Sequence, residues 1–269
     1  MTAQHPNHML GSSEEGIPFL STNSTQAASA TEDYEQIRQQ PLHLPDFALQ
    51  DPAFQEVLAQ SRSFTLTSDE RMYALHTAVQ HIIDANIPGD LVECGVWRGG
   101  SCMNMALTSL QRGRQDRLIY LFDTYEGMAA PEAIDVDLLG RTATELLTSP
   151  TESESTKCFA PLAIVQENMR STGYPMEKVR LVKGLVETTI PSLAPQQIAL
   201  LRLDTDWYAS TRHELEHLYP RLATGGILII DDYGHWRGSK KATDEYFAGF
   251  DAKVFMHRID YTGRLIVKK

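Results

Sequence analysis

The chain has 269 residues, 42% of them hydrophobic, a formal net charge of −11 and three cysteines. That length suits one large α/β domain, or one domain with an appended segment. The acidic balance, with no basic cluster, excludes a nucleic-acid or anionic-membrane surface, and no apolar run reaches the roughly 18 residues of a membrane span. The opening residues lack the basic and apolar regions of a secretory signal. Cys94, Cys102 and Cys158 have no metal-ligand spacing, and their odd number fits a disulfide framework poorly, so a reducing, cytoplasmic setting is expected.

Residues 1–45 are poor in periodic apolar residues and rich in Ser, Thr, Gln and Asn. They are expected to form a tail, or an arm that orders over a ligand or a partner subunit, ahead of a domain over 46–269. Asp46–Arg62 has near-helical apolar spacing. Thr67–Ala85 is a clearer helix, with Thr67 or Ser68 as cap, Asp69 and Glu70 in the first turn, and Met72, Leu75, Val79, Ile82 and Ile83 on one face. His76 and His81 do not share a face as a ligand pair would.

Asp90–Cys94 follows Pro88-Gly89 and is a strand of buried type. Glu93, Gly95, Gly99 and Gly100 then lead into a helix from Ser101 to about Gln111. Gly95 lets a ligand approach the backbone, and the helix start offers free N–H groups to an anionic ligand. The spacing is not G-x-G-x-x-G. It is closer to the nucleoside-binding turn of S-adenosylmethionine enzymes, a weak sign taken alone. Leu118–Asp123 is a second strand, and Asp123 lies where such folds place an acid on ribose hydroxyls. Tyr125–Met128 reads as a loop over the ligand. Ala129–Pro161 is irregular and long enough to be a lid, a specificity insertion or a surface loop. A helix over Pro161–Ser171, a strand over Val179–Val182 closing in Lys183-Gly184, and a short helix over Glu187–Ile190 follow.

Two apolar strands, Ala199–Leu203 and Ile227–Ile230, flank a helix predicted over Ser210–Leu222. Asp204 and Asp206 close the first strand, and Asp231 and Asp232 close the second. Ligands of open parallel sheets bind outside the carboxyl ends of the strands. Four acids there repel one another, which a bound divalent cation relieves, leaving one acid for chemistry. Spacing alone does not say which. His213, Glu214 and His217 match the letters H-E-x-x-H, but they lie on a crossover helix with one side against the sheet and no third ligand downstream, so a zinc site is not expected. After a glycine-flanked loop, Tyr233–Gly238, come a helix over Lys240–Phe250 and strands over Lys253–Ile259 and Arg264–Val267. The last two form a hairpin, with the final strand antiparallel. The total is a seven-stranded, mostly parallel α/β sheet.

The segments D-L-V-E-C-G-V-W-R-G-G-S, L-F-D-T-Y-E-G-M, L-R-L-D-T-D-W-Y-A-S-T and I-I-D-D-Y-G-H-W together resemble the macrocin O-methyltransferase family (TylF-type), from about Thr67 to the C-terminus. The resemblance implies a Rossmann-like class I methyltransferase fold with helices on both sheet faces. It also implies S-adenosylmethionine and Mg²⁺, or another divalent cation, as cofactors. The implied acceptor is a hydroxyl of a small natural product, foremost a sugar hydroxyl of a glycosylated secondary metabolite in antibiotic biosynthesis; a phenol, catechol or other polyol is the alternative. By the same resemblance Asp204, Asp231 and Asp232 hold the metal and Asp206 is the general base. Glu93, Gly95, Ser101, Asp123 and Gly184 are expected at the cofactor, with Arg98 and Arg71 as candidates for its methionine carboxylate. Tyr125, His235 and Trp236 are expected in the acceptor pocket, and the protein as a homo-oligomer. Two rivals are weaker. A haloacid-dehalogenase-type phosphatase, suggested by Phe122-Asp123-Thr124, needs Asp where Tyr125 stands. A non-catalytic nucleoside-binding protein has no need of all four acids.

Overall fold

The computed structural model describes residues 51–149, 157–251 and 253–269. The expected arm over residues 1–45 and the start of the first predicted helix lie outside them. Helix α1 (Pro52–Ser61) is capped by Asp51, whose carboxylate accepts from the Ala53 and Phe54 N–H groups at 3.0 and 3.3 Å, with Pro52 in the first turn. Helix α2 (Asp69–Asp84) is capped by Ser68, which accepts from the Arg71 N–H at 3.2 Å, and carries Asp69 and Glu70 in its first turn. The alternation of strands and helices continues through β1 (Asp90–Cys94), α3 (Gly100–Gln111), β2 (Ile119–Asp123), α4 (Ala143–Thr148), α5 (Leu162–Ser171), β3 (Val179–Lys183), α6 (Val186–Thr189), β4 (Ile198–Leu203), α7 (Tyr208–Leu218), β5 (Leu222–Ile230) and α8 (Arg237–Ala248). Strands β6 (Met256–Arg258) and β7 (Arg264–Val267) close the chain. Among the described residues, no helix is long and apolar enough to cross a membrane.

The seven strands lie in the order β3-β2-β1-β4-β5-β7-β6, parallel from β3 to β5, with β7 antiparallel to both neighbours. The chain leaves β1 for β2 and β3 on one side, then returns to the other side at β4. That reversal opens a crevice at the carboxyl ends of β1 and β4. Both faces of the sheet are covered, which is why the central strands are nearly continuous apolar runs. Leu91, Ile119, Leu200 and Ile227 share one row and pack under α2, α3 and α5. Val92, Leu201 and Leu228 face the other way, in the core shared with Leu215 and Leu218 of α7.

One row breaks the apolar rule. Glu93 of β1 is the register partner of Arg202 of β4, which in turn pairs with Ile229 of β5. The two charged residues sit side by side on the α2–α3 face, each 1% exposed. Burying them together avoids the much larger cost of burying either charge alone.

Several boundaries differ from expectation. The crossover helix stops at Leu218, and a short 3₁₀ turn over Tyr219–Arg221, containing Pro220, leads straight into β5. Gly225 and Gly226 therefore belong to β5, where the register with β4 shifts, and not to a helix end. Helix α8 starts at Arg237, earlier than predicted, and the strand predicted over Lys253–Ile259 shrinks to three residues at the sheet edge. The irregular segment after Ala129 contains α4, whose N-terminus is fixed by a capping box between Thr142 and Glu145.

Candidate active site

The strand ends and their loops enclose a cavity of about 180 Å³ at the reversal point. Its first half is built around β1. Gly95 adopts φ +82°, and a Cβ there would overlap the backbone carbonyl of Asp204. The two loops touch backbone to backbone, and only glycine permits it. Gly95→Ala is expected to lower unfolding free energy by at least about 2 kcal/mol. A urea titration checks this, and a midpoint equal to that of the parent chain would contradict the contact. Asp123 ends β2 and accepts from the Val96 and Trp97 N–H groups at 2.6 and 3.0 Å, and from that of Tyr125 at 2.7 Å. Ser101 is the second residue of α3, which starts at Gly100, and with Glu93 and Gly184 it lines the same half of the cavity. Gly184 follows β3 at φ +141°, its N–H donating to the Asp123 carbonyl at 3.0 Å.

Glu93 is held from two sides. Arg202 donates to one carboxylate oxygen, and the Cys102 thiol donates to the other at 2.6 Å. Burial pushes its pKa up against the opposing pull of Arg202. Burial also drives the Cys102 thiol well above its ordinary range, reinforced by Glu93, so it stays protonated and able to donate.

The second half holds the acids. Carboxylate oxygens of Asp204, Asp206 and Asp232 lie within 4.8 Å of one another. Desolvation pushes the Asp204 carboxyl well up, with repulsion from Asp231 and Asp206 added and Arg202 opposing. Asp232 is raised in the same way, by burial and then by Asp206, Asp204 and Asp231. Arg202 pairs with Asp204 at 2.7 Å, one guanidinium against three carboxyl groups, and the donors of the cluster are hard oxygens, as Mg²⁺ requires.

Asp231 is not one of that trio, although it lies against Asp204 and shares Arg202 with it. Its carboxylate pairs with Arg202 on one oxygen and Arg71 on the other, and the Thr67 hydroxyl lies 3.3 Å away. Burial raises its pKa, but the two guanidiniums outweigh that and hold it below the usual range. Arg71 also pairs with Asp260 at 3.0 Å. Of the four acids expected together, the geometry therefore joins Asp206 to Asp204 and Asp232 and turns Asp231 toward the arginines.

Two expected residues fall outside the cavity lining. Arg98 is exposed, its guanidinium lying 4.8 Å from the centre of the Trp97 ring, a stacking that satisfies it at the surface. Tyr125 adopts φ +56°, which folds its ring into the core, where its hydroxyl donates to the Leu121 carbonyl at 2.9 Å. A buried phenol needs such a partner. His235 and Trp236 do line the cavity. Trp236 meets Trp207 edge to face at 4.9 Å, and the pair is covered by Met128, Ala129, Leu146 and Leu147. The Trp207 indole N–H donates to the Ala129 carbonyl at 2.9 Å, and Asp135 accepts from the Tyr208 N–H at 2.8 Å, so residues 128–148 are tied to the start of α7.

The sequence reading did not single out Trp207, Thr67 or Arg202 as part of the site. For Arg202 a signal existed: a charged residue in the middle of a buried strand must have a buried partner.

The macrocin-O-methyltransferase (TylF) family matches the chain over residues 30–268. The chain is 30% identical over 233 residues to demethyldecarbamoylnovobiocin O-methyltransferase of Streptomyces niveus, covering 84% of this chain and 86% of that one. It is 32% identical over 207 residues to 8-demethyl-8-(2,3-dimethoxy-alpha-L-rhamnosyl)-tetracenomycin-C 4'-O-methyltransferase of Streptomyces olivaceus, covering 76% and 75%. Among solved structures, the O-methyltransferase NovP superposes with a TM-score of 0.66 at 31% identity, covering 76% of this chain and 82% of its own. The calicheamicin methyltransferase CalS11 shares the fold at a TM-score of 0.58 and 19% identity, over 96% of this chain and 99% of its own.

Proposed function

The chain belongs to the macrocin O-methyltransferase (TylF) family, and on that premise we propose that it moves a methyl group from S-adenosylmethionine to a sugar hydroxyl of a glycosylated secondary metabolite, with a divalent cation, Mg²⁺ foremost, at the acid cluster. The observation that carries the proposal is the meeting, through Gly95, of a nucleoside-type turn with converging carboxylates at adjacent strand ends. Relatives named for acting on glycosylated antibiotics support the acceptor class.

The residues fit both groups. The cradle at Gly95 has no room for a Cβ, and the Asp123 carboxylate stands at the end of β2 to receive ribose hydroxyls. Asp123→Ala is expected to weaken S-adenosylhomocysteine binding about tenfold or more, and Arg98→Ala to change it less than about twofold, as read by calorimetry. Equal losses in the two variants would return Arg98 to the cofactor. Asp204 and Asp232 belong to the metal set whichever acid completes it. The family resemblance adds Asp231, which would exchange an arginine for the cation, and leaves Asp206 as the base. When bound, the cation acidifies and orients the acceptor hydroxyl. Asp206 takes the hydroxyl proton at its carboxylate. The cofactor-side residues would hold the sulfonium toward the acceptor half, where positioning of the two reactants would supply much of the acceleration. Trp207, Trp236 and the segment over them shut water out of the acceptor half.

The test offers the enzyme and S-adenosylmethionine a panel of glycosylated antibiotic precursors lacking a sugar O-methyl group, beside catechols and simple polyols. A mass gain of one methylene on a sugar is the expected product. Methylation confined to the catechols would overturn the acceptor class.

A further inference from the structure

The stretch His213-Glu214-Leu215-Glu216-His217 of α7 looks like a metal motif, yet its residues diverge. His213 is partly exposed, its Nε2 3.0 Å from the Ile190 carbonyl and its ring tilted against that of His217, with 4.3 Å between centroids. Glu214 is fully buried, and its two carboxyl oxygens lie 3.0 and 3.1 Å from the hydroxyl of Thr205. A carboxyl buried at this depth, on a helix that otherwise packs through Leu215 and Leu218, calls for a reason beyond packing.

We propose that Glu214 is a positioning residue: through Thr205 it fixes the Asp204–Asp206 turn in the conformation that presents both carboxylates to the cation and the acceptor. This rests on the methyl-transfer reading above. Thr205 is the middle residue of the turn and its anchor. Its carbonyl accepts from the Trp207 N–H at 2.7 Å and from the Ser210 hydroxyl at 3.4 Å, while its own hydroxyl meets Glu214. On one side, the Asp204 N–H is tied to the Cys94 carbonyl at 2.8 Å. On the other, Asp206 adopts φ +67°, a left-handed conformation uncommon outside glycine, though aspartate is among the residues that tolerate it. Without the Glu214 anchor the turn can relax, and the carboxylates on either side of Thr205 separate. Burial also pushes the Glu214 carboxyl well above the usual carboxylate range. Glutamine keeps its shape and a side-chain oxygen that can accept from the Thr205 hydroxyl.

The experiment titrates Mn²⁺ alone into the full chain and its variants, following free Mn²⁺ by electron paramagnetic resonance. S-adenosylhomocysteine binding is measured in parallel without metal. Thr205→Val and Glu214→Leu are each expected to weaken Mn²⁺ binding about tenfold, as the loss of a group that orients a metal ligand does. The double variant is expected to be no worse than either single one, because the two residues act as one unit. Glu214→Gln restores the affinity, and S-adenosylhomocysteine affinity stays at the parent value throughout. Parent-like Mn²⁺ affinity in Thr205→Val and Glu214→Leu would overturn the proposal, provided Asp204→Ala abolishes binding. If Asp204→Ala also binds normally, the metal-site reading itself fails. Additive losses, or parallel loss of S-adenosylhomocysteine binding, would show Glu214 acting on the fold at large and would also overturn it. Should Glu214→Leu fail to fold, Thr205→Val and Glu214→Gln decide the matter.

Discussion

Replacing Asp206 by asparagine is expected to lower kcat on a competent acceptor by about 10²–10⁴-fold, the usual loss when a general base is removed. Mn²⁺ affinity should change little. Asparagine suits the test because, with aspartate, it is among the few residues that tolerate the left-handed backbone found at this position. The backbone N–H that reaches Asp232 at 3.3 Å is untouched. Only basicity and charge at the tip change, so a kinetic loss cannot be laid to a distorted turn. Steady-state rates beside a metal titration separate the two roles open to this residue. Asp206 shares the close trio with Asp204 and Asp232. If the variant loses metal affinity as steeply as rate, Asp206 is a ligand, and Asp231 stays with Arg71 and Arg202 through the whole cycle.

Metal removal is the second large effect. Stripping the enzyme with excess EDTA should cost several kcal/mol of transition-state stabilisation, so that turnover falls by at least about 10²-fold, and Mg²⁺ should restore it. S-adenosylhomocysteine binding is expected to survive the same treatment. The cofactor half is built from β1, β2 and the start of α3, and its Glu93 is neutralised internally by Arg202 whether or not a cation is present. Mg²⁺ at about 100 times its Kd should also stabilise the fold by about 2.7 kcal/mol, visible as a raised Tm. Full activity in EDTA would remove the cation from the reaction.

Much of this was legible in the chain. The strand-helix alternation, the carboxyl-end rule and the four acids at two strand ends point to the cavity from the sequence alone. What the reading could not carry was direction at the level of side chains. Asp231 turns to Arg71, which arrives from a helix 160 positions earlier in the chain. No local pattern announces that pairing. Tyr125 was assigned to the pocket because it follows Asp123 in a loop, but a positive φ reverses its ring into the core. Arg98 looked available beside a glycine turn and instead lies on its neighbour Trp97. Helix α4 is too short, at six residues, for periodicity to reveal it, although Thr142 and Glu145 carried the capping signature. The letters H-E-x-x-H matched a metal motif by chance of spelling. The helix's burial pattern, with Glu214 inward and His213 partly exposed, decides otherwise.

The two tryptophans that line the cavity follow the acids in the same two segments, Trp207 directly after Asp206 and Trp236 four positions after Asp232. One wall of the pocket is therefore inherited together with the catalytic groups. A lineage that altered Trp207 or Trp236 to admit a new molecule would disturb the turns bearing its own chemistry. The residues packed over the two tryptophans, Met128, Ala129, Leu146 and Leu147, belong to a separate stretch of chain that carries none of the four strand-end acids. New acceptors can be explored there while the chemistry is retained. Diversification of the pocket, by natural drift or by directed libraries, is thus channelled to residues 128–148.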